Sequence, residues 1–408
     1  MNILLLAYSC EPNKGSEQEV GWKWAKNLAK NNKVFVLTRS DGKDKIEKEL
    51  ENFEFKDNIK FYYLDLSEFA QKIKKKTKLY RQYYFFWQIK AIKYARQICS
   101  NDNIDICHHV TFVTYKVFSA LAFTEKPFIF GPVAGGERVK LSLYKNAPLK
   151  SKIKEIIRDV DICISRLNLL NRYTIKKASK ILCTTEQTRN SIPKRYRDKC
   201  SIMQAIGVDE LENRIDTLGK CDNRFNIIYA GNLIYLKGIY ILIDAFEKYL
   251  NYDKNAQLTL VGGGSEREKL EKIVMEKSMQ KYVKFEGKVD RNKLMNMYLQ
   301  NDVMLFPSLH DSGGFVVVEA LSQGIPVISL KVGGPEVNLK NGGGILIELT
   351  SYHEIVESIV DALKSIKCNR EEYVNNVINA QNTTLKDLLW ENKCRIIDSE
   401  YNKAIGLI

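Results

Sequence analysis

Two carboxylates with seven residues between them, Asp311 and Glu319, bracket the segment of this chain best suited to chemistry. Ser312, Gly313 and Gly314 lead from the first into an apolar run, Phe315 to Leu321, in which Glu319 is the one charge. Such a run reads as a helix. A helix start offers unpaired N–H groups and a partial positive charge, which suits a diphosphate, and glycines there let a phosphate approach the backbone of residues 312–315 closely. An ionised Glu319 one to two turns further along is costly unless hydroxyls or N–H groups satisfy it. It is therefore either an acceptor for ligand hydroxyls such as those of a ribose, or a structural carboxylate paired with a lysine or a backbone amide.

A second segment supplies a cation. From Ile227 to Gly238 the chain reads as a strand, a turn at Gly231 and Asn232, and a helix beginning near Gly238, so Lys237 is a fixed positive charge facing a phosphate. A lone lysine before a helix is ordinarily solvated, and one glycine turn says little. Both segments within one α/β domain are much more specific.

On these residues the chain resembles the family 4 retaining glycosyltransferases of the GT-B fold, along nearly its whole length. The family signature is two acidic residues separated by seven positions, here Asp311 and Glu319, followed by a glycine-rich turn, here Gly333 to Glu336; the upstream motif places Lys237 in the phosphate-binding position. The resemblance implies that Asp311 contacts the donor sugar and Glu319 the ribose of a nucleotide sugar. It also implies bond breaking and acceptor attack on one face of the sugar, with the departing phosphate oxygen taking the acceptor's proton. No protein nucleophile is then needed, and the protein supplies orientation and charge stabilisation. No Asp-x-Asp cluster is placed for the donor, so neither a metal nor another cofactor is expected. Two departures stand out: Asp311 occupies a position that is Glu in most members, and Asn232 replaces the arginine that usually shares the diphosphate with the lysine. They keep open a catalytically silent GT-B protein that binds a nucleotide sugar; a further alternative is another GT-B enzyme, such as a glycogen-synthase-like enzyme or a nucleotide-sugar epimerase.

Three segments of the amino-terminal half are further candidates. Gly15 and Ser16 follow the first strand and open a helix, offering N–H groups to phosphate or sugar, or forming a plain turn with Ser16 as cap. Gly135, Gly136, Glu137 and Arg138 follow another strand and are read as sugar or acceptor contacts. His108 and His109 lie near a strand's carboxyl end. The resemblance implies a histidine here that hydrogen-bonds the donor sugar near the reacting carbon. Adjacent strand residues point to opposite faces, so one ring is expected at the site and one packed, with His109, nearer the loop, taken as the catalytic one.

The elements that must position these residues alternate regularly. Strands are expected at 3–7, 33–38, 59–63, 104–108, 127–130 and 180–184, then again at 225–230, 257–261, 283–286, 303–306, 327–329 and 344–347, with helical patterns between. That alternation implies two doubly wound, Rossmann-like α/β domains with parallel sheets and ligands at the strands' carboxyl ends, facing a cleft. The expected division is 1–204 and 205–387, with the link near 205–224, and the resemblance to the GT-B fold implies that a final helix, 388–408, returns to the first domain.

Composition bounds the rest. The chain has 408 residues, 45% hydrophobic and 27% charged, enough for two cores. No apolar run approaches the roughly 18 residues of a membrane span. The start, Met1 to Ala7, reads as a strand and not a signal peptide, and nine scattered cysteines without a Cys-x-x-Cys pair point to reduced thiols in the cytoplasm. Residues 1–200 hold 39 Lys and Arg against 21 Asp and Glu, and the remainder 24 against 28, so the net +14 is concentrated in the first half. Residues 72–96 are basic and aromatic with no acid between Glu68 and Asp102. Read as a helix from Thr77 to Cys99, this segment puts Tyr80, Tyr84, Trp87, Ala91, Tyr94 and Ile98 on an apolar face, and Lys78, Arg81, Lys93 and Arg96 around Phe85 on the other. The basic face is either a solvated surface or an anionic-membrane contact, which fits a saccharide or lipid-linked saccharide acceptor and a peripheral place at the inner face of the cell membrane. The net charge also allows nucleic acid, but no helix-turn-helix, zinc finger or aromatic RNA platform supports it, so no nucleic-acid partner is expected. The resulting expectation is a retaining hexosyltransferase of cell-envelope polysaccharide or glycolipid synthesis, in lipopolysaccharide or capsule.

Overall fold

The computed structural model describes residues 1–210 and 224–407. They form two compact units: Met1–Gly136 with Val160–Asp209 and the described part of Trp390–Ile408, and Glu137–Asp159 with the described part of Glu210–Leu389. The first sheet contains β1 (Asn2–Leu6), β2 (Lys33–Thr38), β3 (Ile59–Tyr63), β4 (Ile106–His109), β5 (Phe128–Val133), β6 (Lys180–Cys183) and β7 (Cys200–Ile202). Its order is β3-β2-β1-β4-β5-β6-β7. The second contains β8 (Asn226–Ala230), β9 (Gln257–Val261), β10 (Val283–Gly287), β11 (Val303–Phe306), β12 (Val327–Leu330) and β13 (Gly344–Ile347), in the order β10-β9-β8-β11-β12-β13.

Every pairing is parallel. Helices cover both faces of such sheets, so the central strands are continuous apolar runs: Ile3, Leu4, Leu5 and Leu6 are all fully buried, as are Val303, Met304 and Leu305. Strand order reverses between β1 and β4 and between β8 and β11. Splaying connections leave a crevice at such points, beyond the strands' carboxyl ends.

Several expectations are corrected. β4 begins two residues later than read and runs through His109. β7 is a three-residue edge strand, too short to show a periodicity. Residues 137–159 cluster with the second unit, not with the sequence around them, and Leu149–Ser165 is one helix whose first turns belong to the second unit and last turns to the first. Of the expected link, residues 211–223 lie outside the described residues.

The helix expected at 77–99 is two helices, Glu68–Thr77 and Tyr80–Asn101. Lys78 ends the first in the left-handed conformation, φ 57°. The second is rotated from the simple stripe because its polar groups find partners inside: Trp87 Nε1 donates to the Leu64 carbonyl at 2.7 Å and Gln88 accepts from the Ala120 N–H at 2.7 Å. Tyr83, Ala95 and Cys99 are buried, whereas Tyr80 and Tyr94 are exposed. Phe85 is half-buried against Phe118, and Phe86 and Ile89 are the apolar residues that face outward near Lys90 and Lys93. Arg81 is paired with Asp161 at 2.6 Å and Arg96 donates to the Phe123 carbonyl. Among the described residues no helix is long and apolar enough to cross a membrane, and no three His, Cys, Asp or Glu side chains are grouped to hold a metal ion.

Candidate active site

The loops leaving β8 and β11, the two strands at the second sheet's reversal, carry Lys237 and Asp311 to one place. Lys237 Nζ lies 2.6 Å from Asp311 Oδ2 and 3.4 Å from the His310 carbonyl, over the Phe306 ring. Asp311 Oδ1 accepts from the N–H groups of Gly313 at 3.0 Å and Gly314 at 2.7 Å. Burial pushes the Asp311 carboxyl up, but Lys237 and the two amides more than offset it and hold the group below its ordinary value. One cation and two backbone donors thus converge on an anion. In this structure that anion is Asp311 itself, so the donors read as a diphosphate site are already aimed at a negative charge.

Glycine is required here by close approach. Gly314 caps the Phe315–Ser322 helix at φ 61°, and a Cβ on it would meet Asn338 Nδ2 at 2.7 Å. Asn338 donates to the carbonyls of Gly313 and Gly314, fixing the turn from below. A Cβ on Gly333 would stand 2.1 Å from the Asp311 carbonyl oxygen, so the Gly333–Asn338 helix packs directly on the site loop. On the β8 side Gly231 is followed by an exposed Asn232, and Lys237 ends a single 3-10 turn before Gly238 opens the Ile239–Tyr249 helix. The loop after β9 packs on this turn, since a Cβ on Gly262 would meet the Gly231 carbonyl at 1.9 Å. Sequence reading passed over Gly262 to Gly264, though three glycines after a strand are a signal.

Glu319 lies on the helix beyond the turn. Burial raises its pKa, and the exposed Arg291, 3.7 Å away, offsets only part of this. Ser312 and Phe315 are both accessible, Phe315 with its ring to the surface.

Three further groups join this site without having been read from sequence. His310 is pushed down to about 4, by burial first and then by Arg158, with Lys237 adding to it and Glu137 and Asp311 opposing. It is therefore neutral near pH 7, between cations and carboxylates. Arg158 is held by Glu155 at 2.5 Å, and Glu155 also accepts from Tyr235 at 2.9 Å, in the same turn as Lys237. The segment 137–159 is distant in sequence from both loops, so no local pattern announces it.

The first-unit candidates are placed differently. Gly15 is exposed, at φ 71°, and itself occupies the cap position of the Ser16–Leu28 helix. Gly135 lies beside the Lys116 and Thr114 side chains, and Gly136 donates to Thr188 Oγ1 at 3.2 Å. In the second unit Glu137 is buried, and Arg138 pairs with Asp159 at 3.4 Å. The expected split between an accessible and a packed histidine is corrected, because both rings are buried with both nitrogens engaged. His108 accepts at Nδ1 from the Tyr401 hydroxyl at 2.6 Å and donates from Nε2 to the Gly131 carbonyl at 2.7 Å. His109 contacts Tyr84 at 3.2 Å and Ser119 at 3.0 Å. Burial pushes His108 down to about 3 and His109 to about 4.

Comparison with known proteins fits this geometry. Residues 212–381 match the family model of group 1 glycosyl transferases. That stretch contains Lys237, Asp311 and Glu319, so these site residues lie in the part of the chain that is similar to the group 1 glycosyl transferases. An uncharacterised glycosyltransferase of Methanocaldococcus jannaschii is 31% identical over 196 residues, 47% of this chain and 48% of that protein. The N-acetyl-alpha-D-glucosaminyl L-malate synthase of Bacillus anthracis is 24% identical over 384 residues, 90% of this chain and 89% of that protein. The first of these is thus matched over about half its length. Among solved structures, a lipopolysaccharide outer core galactosyltransferase aligns with a TM-score of 0.65 at 17% identity, covering 98% of this chain and 100% of that one. Anabaena HepE in complex with UDP-glucose aligns at 0.62 and 17% identity over 100% of both chains. These likenesses establish the GT-B fold for this chain.

Proposed function

We propose that this protein is a retaining family 4 glycosyltransferase that moves a sugar from a nucleoside diphosphate to a saccharide or lipid-linked saccharide acceptor in cell-envelope polysaccharide or glycolipid assembly. The observation that carries the reading is the convergence of Lys237 and the Gly313 and Gly314 N–H groups on one anion position at the β8/β11 reversal. Their role is to stabilise negative charge on the leaving diphosphate, while Asp311 turns to the donor sugar and Glu319 accepts from the ribose. Arg158, fixed by Glu155 beside His310, supplies the cation that Asn232 lacks. The chemistry needs no metal. The N-acetylglucosaminyl synthase and the UDP-glucose complex among the similar proteins make UDP-sugars the first donors to test.

The basic 72–96 segment supports a peripheral place at the cytoplasmic face of the membrane, with Tyr80, Phe86 and Ile89 exposed on it. Thermal stabilisation across UDP-, GDP- and ADP-sugars tests the donor reading. One class should raise the melting temperature, and Arg158→Gln should weaken the diphosphate ligand more than the nucleoside. Stabilisation by none removes the donor site. Binding without donor hydrolysis leaves a silent binder, and conversion of free donor to its epimer makes the protein an isomerase.

A further inference from the structure

The connection between the Leu149–Ser165 and Leu169–Lys177 helices is built against the usual rule for a surface. Val160, Ile164, Leu167 and Leu169 all face outward, the two leucines 73% and 77% exposed, while Ser165 on the same run is buried. Single exposed apolar residues are ordinary, but four in one short run are not. Beside them, within the first unit, is a cavity of about 370 Å3 whose lining includes Arg166, Arg172, Lys194, Arg195 and Arg197 and no acidic residue. Arg166 and Arg172 bracket the two leucines in the chain, so one connection serves both features. Arg197 is held in place by the carbonyls of Ile192 and Asn190, and Arg195 lies over the Tyr196 ring. Five like charges lining one cavity repel each other unless an anion is bound.

We infer that this connection is a docking site for an anionic phospholipid bilayer, separate from the 72–96 segment. The arginine-lined cavity takes headgroup phosphate, which guanidinium groups bind by charge-assisted hydrogen bonds, and the leucine and isoleucine side chains enter the acyl boundary. Apolar insertion beside a cation cluster matches a leaflet in both chemistry and sign of charge. The inference deepens the proposed membrane-side function and rests on it only for its purpose.

The test is co-sedimentation of the full chain with phosphatidylcholine vesicles, with and without phosphatidylglycerol, with UDP-, GDP- and ADP-sugar binding measured in parallel. Wild-type protein should be captured only by the anionic vesicles. The double variant R172Q/R195Q should bind them about 25-fold more weakly, at about fivefold, or ~1 kcal/mol, per lost charge. The double variant L167S/L169S should lose at least tenfold of the capture that survives high salt, and both variants should keep the wild-type melting temperature. The docking site is overturned if wild-type protein ignores anionic vesicles. It is also overturned if only K78Q/R81Q/K93Q/R96Q abolishes capture. Full competition by inorganic phosphate with no effect of L167S/L169S would make the cavity a soluble-anion site. Conversion of a dimer to a monomer by L167S/L169S, without vesicle capture, would make the leucines a self-association surface. Vesicle capture without binding of any nucleotide sugar would sink the donor reading alone, and sugar binding without capture would sink the docking site alone.

Discussion

The two sheets reverse their strand order in the same way, and the residues beyond the reversals do opposite things. Past β8 and β11, Lys237, Asp311 and the Gly313–Gly314 amides form a charged cluster that remains partly accessible. Past β1 and β4 the polar groups close on one another: Ser9 N–H donates to Thr111 Oγ1 at 2.9 Å, Val113 N–H donates to Glu17 at 2.5 Å, and both histidines are sealed in the core. Topology creates a place for a ligand; whether a site is built there depends on charge left unburied and donors left convergent.

The contrast breaks most directly at Lys237. Lys237→Ala should lower turnover by roughly 10²–10³, as loss of one preorganised charge-stabilising donor does, and should weaken diphosphate-containing ligands far more than the nucleoside. Unchanged diphosphate affinity in folded protein would remove the second reversal as the donor site. On the other side, His108→Ala should cost on the order of 3 kcal/mol of stability, because it opens a cavity and strands the buried Tyr401 hydroxyl and Gly131 carbonyl. Urea unfolding measures this. A His109→Ala protein that keeps its stability and loses turnover would overturn the contrast, since it would put a working group in the closed end.

Glu319→Ala sharpens the donor assignment: loss of a carboxylate acceptor from ribose should cost about 1.5–3 kcal/mol of nucleotide affinity, roughly tenfold or more, by calorimetry. The smallest effect is on pH dependence. Burial holds both strand histidines, at about 3 and about 4, below the ordinary histidine value of 6.5. The unfolded chain therefore binds more protons between those limits, and stability rises with pH through the window and is lost as pH falls below about 6.5. His108→Gln should flatten that slope in melting temperature against pH. A slope that persists undiminished in the double variant His108→Gln/His109→Gln would place the titrating group elsewhere, His310 being the next candidate.

Much of this was legible in the chain itself. Twelve expected strands correspond to strands of the structure, because a buried parallel strand is a short apolar run between breakers and needs no distant partner to be recognised. Lys237, Asp311 and the glycines were legible for a similar reason: each belongs to a strand–turn–helix whose chemistry is local. The tertiary structure alone decided which donors face which acceptor. It brought Glu137, Glu155 and Arg158 into the second unit and buried His109 against Tyr84 and Ser119. It also turned the Tyr80–Asn101 helix so that Phe86, not Phe85, faces outward. Those outcomes depend on packing and on polar partners far along the chain, and a helix stripe or a strand alternation has no information about either.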